Sequence, residues 1–191
     1  MSDPTVRGAA RWPLFLALAA VIVAVDQATK AWLVSFLDPG ERTNVIGDYV
    51  RLIHSKNSGA LFGLFKDQAL LFGMVSLAVI GLIVWFHAST GRNTLLSLAL
   101  GLLLGGAIGN MIDRFRLGYV VDWVDAGIGD TRFYTFNVAD SAISVAILLL
   151  LVMAFLPGLD GRPATTVRPP DASGERQPDT DPDAAPERLD A

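Results

Sequence analysis

Hydrophobic positions in this chain fall in long, nearly unbroken runs. They lack the two-residue or three-to-four-residue spacing of a soluble fold. The blocks run from about Trp12 to Leu37, Gln68 to His87, Thr94 to Ile112 and Ser141 to Leu156. A helix needs roughly 20 apolar residues to cross a hydrocarbon core about 30 Å thick. The second and third blocks meet that length and the fourth is slightly short. The first meets it only if Asp26, Gln27, Thr29 and Lys30 are tolerated within it. The pattern predicts four membrane-spanning helices, over about 12–34, 68–87, 94–112 and 141–156. Trp12, Trp32 and Trp85 lie near block ends, where indole rings favour the membrane–water boundary. Arg7 and Arg11 ahead of the first block also fit a signal peptide. No small-x-small cleavage site follows at the right distance and three more spans do, so an uncleaved first helix is expected.

Four spans put both termini on one side and leave the polar segments 38–67 and 113–140 together on the other. Tyr49-Val50-Arg51-Leu52-Ile53-His54 is rich in strand formers, Asn57-Ser58-Gly59 reads as a turn, and Ala60 to Phe65 is apolar again. A small sheet or hairpin on the membrane surface, over about 45–65, is the expectation. Gly101, Gly105 and Gly109 repeat every four residues along the third span, a small-residue stripe that lets another helix approach closely.

Composition agrees with the blocks. Of 191 residues, 52% are hydrophobic and 18% charged, against about 25% charged in soluble domains. The absence of cysteine excludes disulfides, thiolate zinc sites, iron–sulfur clusters and cysteine nucleophiles. The net charge of −4 argues against bulk nucleic-acid binding. That charge comes from the end of the chain: Pro157 to Ala191 holds eight acidic residues, four arginines and seven of the ten prolines. Residues 160–191 are therefore expected to form a disordered, acidic, Pro-rich tail, and 1–159 an integral membrane domain that is close to neutral. Lys and Arg are almost balanced across the membrane, seven on the side of the termini and eight on the other. Only Arg7 and Arg11 favour cytoplasmic termini.

Ionisable residues at membrane depth are costly and are functional suspects by default. Asp26 and Lys30 share a helical face at four-residue spacing, either as a self-neutralising pair or as a brace for a site. Asn110, Asp113 and Arg114 end the third span, either as an ion-paired helix end or as a polar cluster facing a site. Asp140 precedes the fourth block and suits a helix N-cap. Asp122 stands between Tyr119-Val120-Val121 and Trp123-Val124, which suggests a carboxylate against a low-dielectric surface. Two carboxylates sharing a partly dry site hold one proton between them, the requirement for aspartyl proteolysis without a metal or other cofactor. Spacing alone leaves that pairing open.

Other chemistries are weaker. Gly127-Ile128-Gly129-Asp130 spells the GxGD string of another intramembrane aspartyl protease class, but in a polar loop, where it reads as a turn. Ser55-Lys56 and Ser58 hint at a Ser–Lys peptidase, although adjacent strand residues point to opposite faces. His54 and His87 lack metal-ligand spacing and read as a surface strand residue and an interfacial residue.

Taken together, DQATK (Asp26–Lys30), NSGALFG (Asn57–Gly63), GGAIGNMIDR (Gly105–Arg114), GYVVDW (Gly118–Trp123) and FNVADS (Phe136–Ser141) closely resemble, in this order on four spans, the lipoprotein signal peptidases, or signal peptidase II. The resemblance covers about residues 12–156. Leu61 and Trp123 depart modestly from the family pattern, where Ala and Phe are common. The resemblance implies a mostly α membrane protein with four transmembrane helices and a small extracytoplasmic β-sheet, or cradle, in the first outer loop. It implies an aspartyl endopeptidase of the bacterial inner membrane, with cytoplasmic termini and a site near the outer leaflet. The substrate it implies is a prolipoprotein carrying diacylglycerol on its lipobox cysteine, cut on the amino side of that cysteine. The catalytic pair falls on Asp122 and Asp140, and substrate-binding or supporting roles on Asp26, Lys30, Asn57, Gly59, Asn110, Asp113, Arg114, Asn137 and Ala139. Besides prolipoproteins, membrane lipids are the expected partners, with no nucleic acid and a monomeric enzyme. The alternatives are a small proton-coupled transporter relaying through intramembrane aspartates, and a non-enzymatic scaffold built on the glycine stripe.

Overall fold

A computed structural model describes residues 11–58, 68–91 and 93–156. The helices are α1 (Trp12–Val34), α2 (Ala69–Thr90), α3 (Thr94–Leu117) and α4 (Val138–Phe155). All four are long and apolar enough to cross a membrane. The strands are β1 (Arg42–Ile46), β2 (Val50–Asn57), β3 (Val120–Ile128) and β4 (Thr131–Arg132). Gly59 and the apolar run from Ala60 to Phe65 lie outside the described residues, as do the tail 160–191 and Arg7.

Three span boundaries differ from the sequence expectation, those of α3 and α4 for a local reason. α2 continues past His87 to Thr90. α3 runs past Ile112 to Leu117, because Asp113 and Arg114 sit on a regular helix that stops only at Gly118, whose φ of +77° lets the chain leave left-handed. α4 starts earlier, at Val138. There the Asn137 side chain accepts from the Asp140 N–H while the Asp140 carboxylate accepts from the Asn137 N–H, a reciprocal cap. Asp140 thus lies one turn inside the helix, and the cap itself is Asn137.

α3 is the central helix, packed on α1, α2 and α4, whereas the backbones of α2 and α4 do not approach each other among the described residues. Glycines permit this. A Cβ on Gly101 or Gly105 would lie 3.0 or 2.9 Å from the Phe15 or Ala19 carbonyl of α1, and one on Gly106 would lie 2.5 Å from the Ala139 carbonyl of α4. The stripe therefore divides: Gly101 and Gly105 face α1, while Gly109 meets Asp26 and Ala139. Phe15, Ala19, Ile83, Leu100 and Leu104 form the apolar core between these helices.

The sheet has the order β1-β2-β3-β4, antiparallel throughout. The sequence placed it in the first outer loop alone. In fact its longest strand, β3, comes from the second, so that Asp122 and its neighbours Val120, Val121, Trp123 and Val124 all lie on a strand. The period-2 signal is absent there because Val120, Val121 and Asp122 are all buried. Leu33 at the end of α1 and Leu37 just beyond it pack on Val121, with Leu52, Tyr119 and Trp123 around them, and so tie the sheet to the bundle. Gly129, with φ +56°, turns β3 into β4, so the GxGD string does serve as a turn.

Both histidines are buried, against expectation. His54 bonds through Nδ1 to the Leu37 carbonyl at 2.8 Å. His87 stacks on Phe15 with ring centroids 4.0 Å apart and bonds through Nε2 to Ser97 at 3.2 Å. The residues next to each histidine in sequence do not show this, because the partners that bury it, Leu37 for His54 and Phe15 and Ser97 for His87, come from other segments.

Candidate active site

The polar residues singled out in four separate stretches converge where α1, α3, β3 and the start of α4 meet. Lys30 lies at the centre. Its ammonium group is 2.8 Å from Asp26 Oδ2, 2.8 Å from Asp113 Oδ2 and 3.1 Å from Asn110 Oδ1. An ammonium has three N–H donors, so this buried lysine is fully satisfied. An unpaired charge at that depth would cost several kcal/mol.

Asp26 and Asp113 each use a second oxygen interaction to hold backbone. The Ala139 N–H donates to Asp26 Oδ1 at 3.0 Å, and the Val121 N–H donates to Asp113 Oδ2 at 3.1 Å. Ala139 directly precedes Asp140, and Val121 directly precedes Asp122. Two buried carboxylates thus grip the chain one residue ahead of the two aspartates that the sequence marked as a pair.

Asp122 and Asp140 are brought together and joined through asparagine side chains. Asn137 Nδ2 donates to Asp122 Oδ1 at 2.8 Å, and the Asn137 N–H donates to Asp140 Oδ2 at 3.2 Å. Asn110 Nδ2 donates to Asp140 Oδ1 at 2.7 Å, and Asn57 Nδ2 donates to Asp122 Oδ2 at 3.0 Å. Asn110 Oδ1 accepts from both Lys30 and Asn137, which links the dyad to the ion cluster. Asp122 is almost wholly buried and Asp140 half-buried. Burial first, then the neighbouring Asp140 charge, push the Asp122 carboxyl up to about 7, against the amides of Asn57 and Asn137 and the charge of Lys30. A carboxyl poised near neutrality beside a second carboxyl is the arrangement that acid–base catalysis by one shared proton requires.

Arg114 stands beside this pair. It donates to the Asn110 carbonyl at 3.3 Å and lies 5.9 Å from the ring centre of Phe72 on α2. Asn57 reaches the dyad from the end of β2, where a register shift between Leu52 and Ser55 sets Ser55 opposite Asp122. The Lys56 ammonium lies 5.0 Å over the Tyr119 ring, and Ser55 accepts from Thr135 at 3.5 Å. Of the site residues marked in the sequence, every one but Gly59 falls within this cluster or against it, and Gly59 is among the residues outside the description.

A family model described as Signal peptidase (SPase) II matches residues 18–156. The chain belongs to the signal peptidase II family. Among its relatives is a lipoprotein signal peptidase of Caulobacter vibrioides, 44% identical over 151 residues, or 73% of this chain and 85% of that one. Another, from Shouchella clausii, is 38% identical over 149 residues, covering 78% and 97% of the two chains. A solved structure titled "Bacterial membrane enzyme structure by the in meso method at 2.3 A resolution" superposes with a TM-score of 0.72 at 27% identity, covering 84% of this chain and 98% of its own. A second of the same kind, at 1.9 A resolution, gives 0.70 at 28% identity. The family makes this chain an aspartic endopeptidase and a multi-pass membrane protein, and it leaves the transporter reading without support.

One participant in the cluster has no role in the sequence reading, where it is only a polar interruption of the first span and a member of DQATK. Gln27 Nε2 donates to Asp113 Oδ1 at 2.9 Å and also lies 3.2 Å from Asp26 Oδ2 and 3.2 Å from the Gly109 carbonyl. A glutamine in an apolar run signals a polar partner less strongly than Asp26 does, because an uncharged side chain costs less than a charge to bury.

Proposed function

We propose that this signal peptidase II cleaves diacylglyceryl-modified prolipoproteins on the amino side of the lipidated cysteine, with Asp122 and Asp140 as the catalytic pair. The observation that carries the reading is the asparagine bridge: Asn137 holds both carboxylates at once, by its side chain and by its backbone N–H. The ionised member of the pair takes a proton from a water as that oxygen bonds to the peptide carbonyl carbon. The protonated member gives its proton to the carbonyl oxygen, which forms a tetrahedral diol. Collapse breaks the C–N bond. The amine leaves with the proton that the first aspartate had taken, and the diol returns one to the pair as its carbonyl reforms. Arg114, beside the pair, supplies positive charge that favours the ionised member as it waits to take the proton from water.

The remaining roles follow from position. Asp26, Lys30, Asp113, Asn110 and Ala139 support the pair, and Asn57 and Gly59 lie on the segment that meets the substrate peptide. The backbones of α2 and α4 stand apart on α3, and we assign the apolar signal peptide and the acyl chains of its cysteine to the side of the bundle between them, beside Arg114 and Asp140. We assign the termini to the cytoplasm and the site to the outer leaflet of the bacterial inner membrane. Both aspartates come from one chain, which supports a monomer surrounded by membrane lipids. The catalytic domain is 1–159, with 160–191 as a tail outside it.

The test is a gel-shift cleavage assay in detergent on a diacylglyceryl-modified prolipoprotein. Wild type shortens the substrate. Asp122→Asn and Asp140→Asn, still folded, lose about a thousandfold or more in rate, as expected when either half of an acid–base pair is removed. Normal cutting by both variants would discard the pair.

A further inference from the structure

Resting on that reading of the dyad, we propose that Gln27 is a positioning residue that sets the distance between Asp122 and Asp140 by clamping together the two carboxylates that hold their backbones. The chain of contacts is short. Asp26 grips the N–H of Ala139, one residue before Asp140, and Asp113 grips the N–H of Val121, one residue before Asp122. Anything that fixes the separation of Asp26 and Asp113 therefore fixes the separation of the dyad. Two side chains span that gap. Lys30 does so through Asp26 Oδ2 and Asp113 Oδ2, and Gln27 through Asp26 Oδ2 and Asp113 Oδ1.

Lys30 alone pulls at one oxygen of Asp113 and leaves that carboxylate free to rotate about its own bond. Gln27 takes the other oxygen, at 2.9 Å, and with both oxygens held the Asp113 carboxylate is fixed in plane. The glutamine is itself oriented. Arg116 Nη1 donates to its Oε1 at 3.5 Å, which turns the amide nitrogen and its two N–H donors toward the two carboxylates, with the Gly109 carbonyl 3.2 Å from that nitrogen. Gly109 is a glycine where a Cβ would lie 2.7 Å from Asp26 Oδ2, which keeps the space beside this clamp clear.

Asp122 is also faced by Asp140 from α4, by Lys30 from α1, by Arg114 from α3, by Asn57 from β2 and by Asn137. Gln27 touches none of the reacting groups, so its loss acts through geometry. Gln27→Met keeps the length and removes the donor. With the clamp gone, the dyad relaxes apart. The expected result is a fall in kcat of about tenfold or more, with KM within about twofold of wild type, since a misplacement of about 1 Å costs rate rather than binding. Wider spacing also weakens the repulsion that holds the shared proton. The alkaline limb of the pH profile then moves down by a fraction of a pH unit, as the charge of Asp140 acts less strongly on Asp122.

Gln27→Glu provides the independent check, because it carries a donor only while its carboxyl is protonated. Its rate relative to Gln27→Met should rise as pH falls. The proposal is overturned if Gln27→Met keeps wild-type kcat. It is also overturned if both variants lose activity only in proportion to lost folded protein, with unshifted pH limbs and no acid recovery in Gln27→Glu. Wild type and the Asp122→Asn and Asp140→Asn variants run beside them. A normal Gln27→Met with inert dyad variants removes this proposal alone, whereas dyad variants that still cut remove the reading beneath it.

Discussion

The two ends of the α1–α3 contact solve the same packing problem with opposite chemistry. At one end, Phe15 stacks on His87, Trp12 meets both edge-on, and Ser97 supplies one hydrogen bond. His87 Nδ1 is buried with no hydrogen-bond partner among the described residues. At the other end, Asp26, Lys30, Asp113 and Asn110 lie as deep, yet every N–H of the Lys30 ammonium finds an acceptor. An idle ring nitrogen is tolerable in a neutral side chain, whereas an idle charge is not. Charged groups are not needed to seal a helix pair, since the aromatic end does so without them. Their presence at the other end therefore marks a place where stability was traded for a defined geometry.

That contrast can be broken most forcefully at Lys30. Lys30→Met leaves Asp26 and Asp113 buried and facing each other without a cation. Removing one partner of such a cluster costs about 3–5 kcal/mol, and cleavage is lost with it. Thermal unfolding followed by tryptophan fluorescence measures the first, and an unchanged midpoint would show that the cluster is not held by charge.

The next effect is on pH. With the Asp122 carboxyl pushed up to about 7, kcat/KM falls about tenfold per unit as pH rises past that value and the shared proton is lost. The stability contribution of this group has the same sign. Its folded value lies above the ordinary 3.8, so its contribution is fully present below that value and is lost as pH rises through about 7. A rate that stays level to pH 9 removes the shared proton from the scheme.

The smallest effect belongs to the aromatic end. His87→Phe keeps the stack on Phe15 and deletes the idle nitrogen. Stability should stay within about 1 kcal/mol of wild type, with cleavage unchanged. A large loss of either would mean that the two ends are coupled along α3.

The spans and the chemistry were legible in the residues for different reasons. Apolar runs long enough to cross a bilayer leave the backbone few choices, because unpaired N–H and C=O groups cannot persist in hydrocarbon. Asp26, Lys30, Asn110, Asp113 and Arg114 announced themselves because charge and amide groups at depth need partners. Their partners were not legible. Nothing in the spacing of Ala139 or Val121 says that their N–H groups meet Asp26 and Asp113, and Gln27 was overlooked among louder neighbours.

β3 was the largest miss. A strand buried on both faces loses the alternation by which strands are read, and it was visible only once β2 lay beside it and α1 beneath. The sequence by itself determined four spans, an apolar chain with a handful of costly polar residues, and a motif order that matches one family. The tertiary structure alone decided that Asp122 and Asp140, eighteen positions apart, share one asparagine, and that one lysine and one glutamine hold together the carboxylates behind them. Those contacts join α1, α3, β3 and α4, and local residue preferences do not encode distances between separate elements. Packing does, through glycines that let α3 sit close enough to its neighbours for short polar side chains to meet.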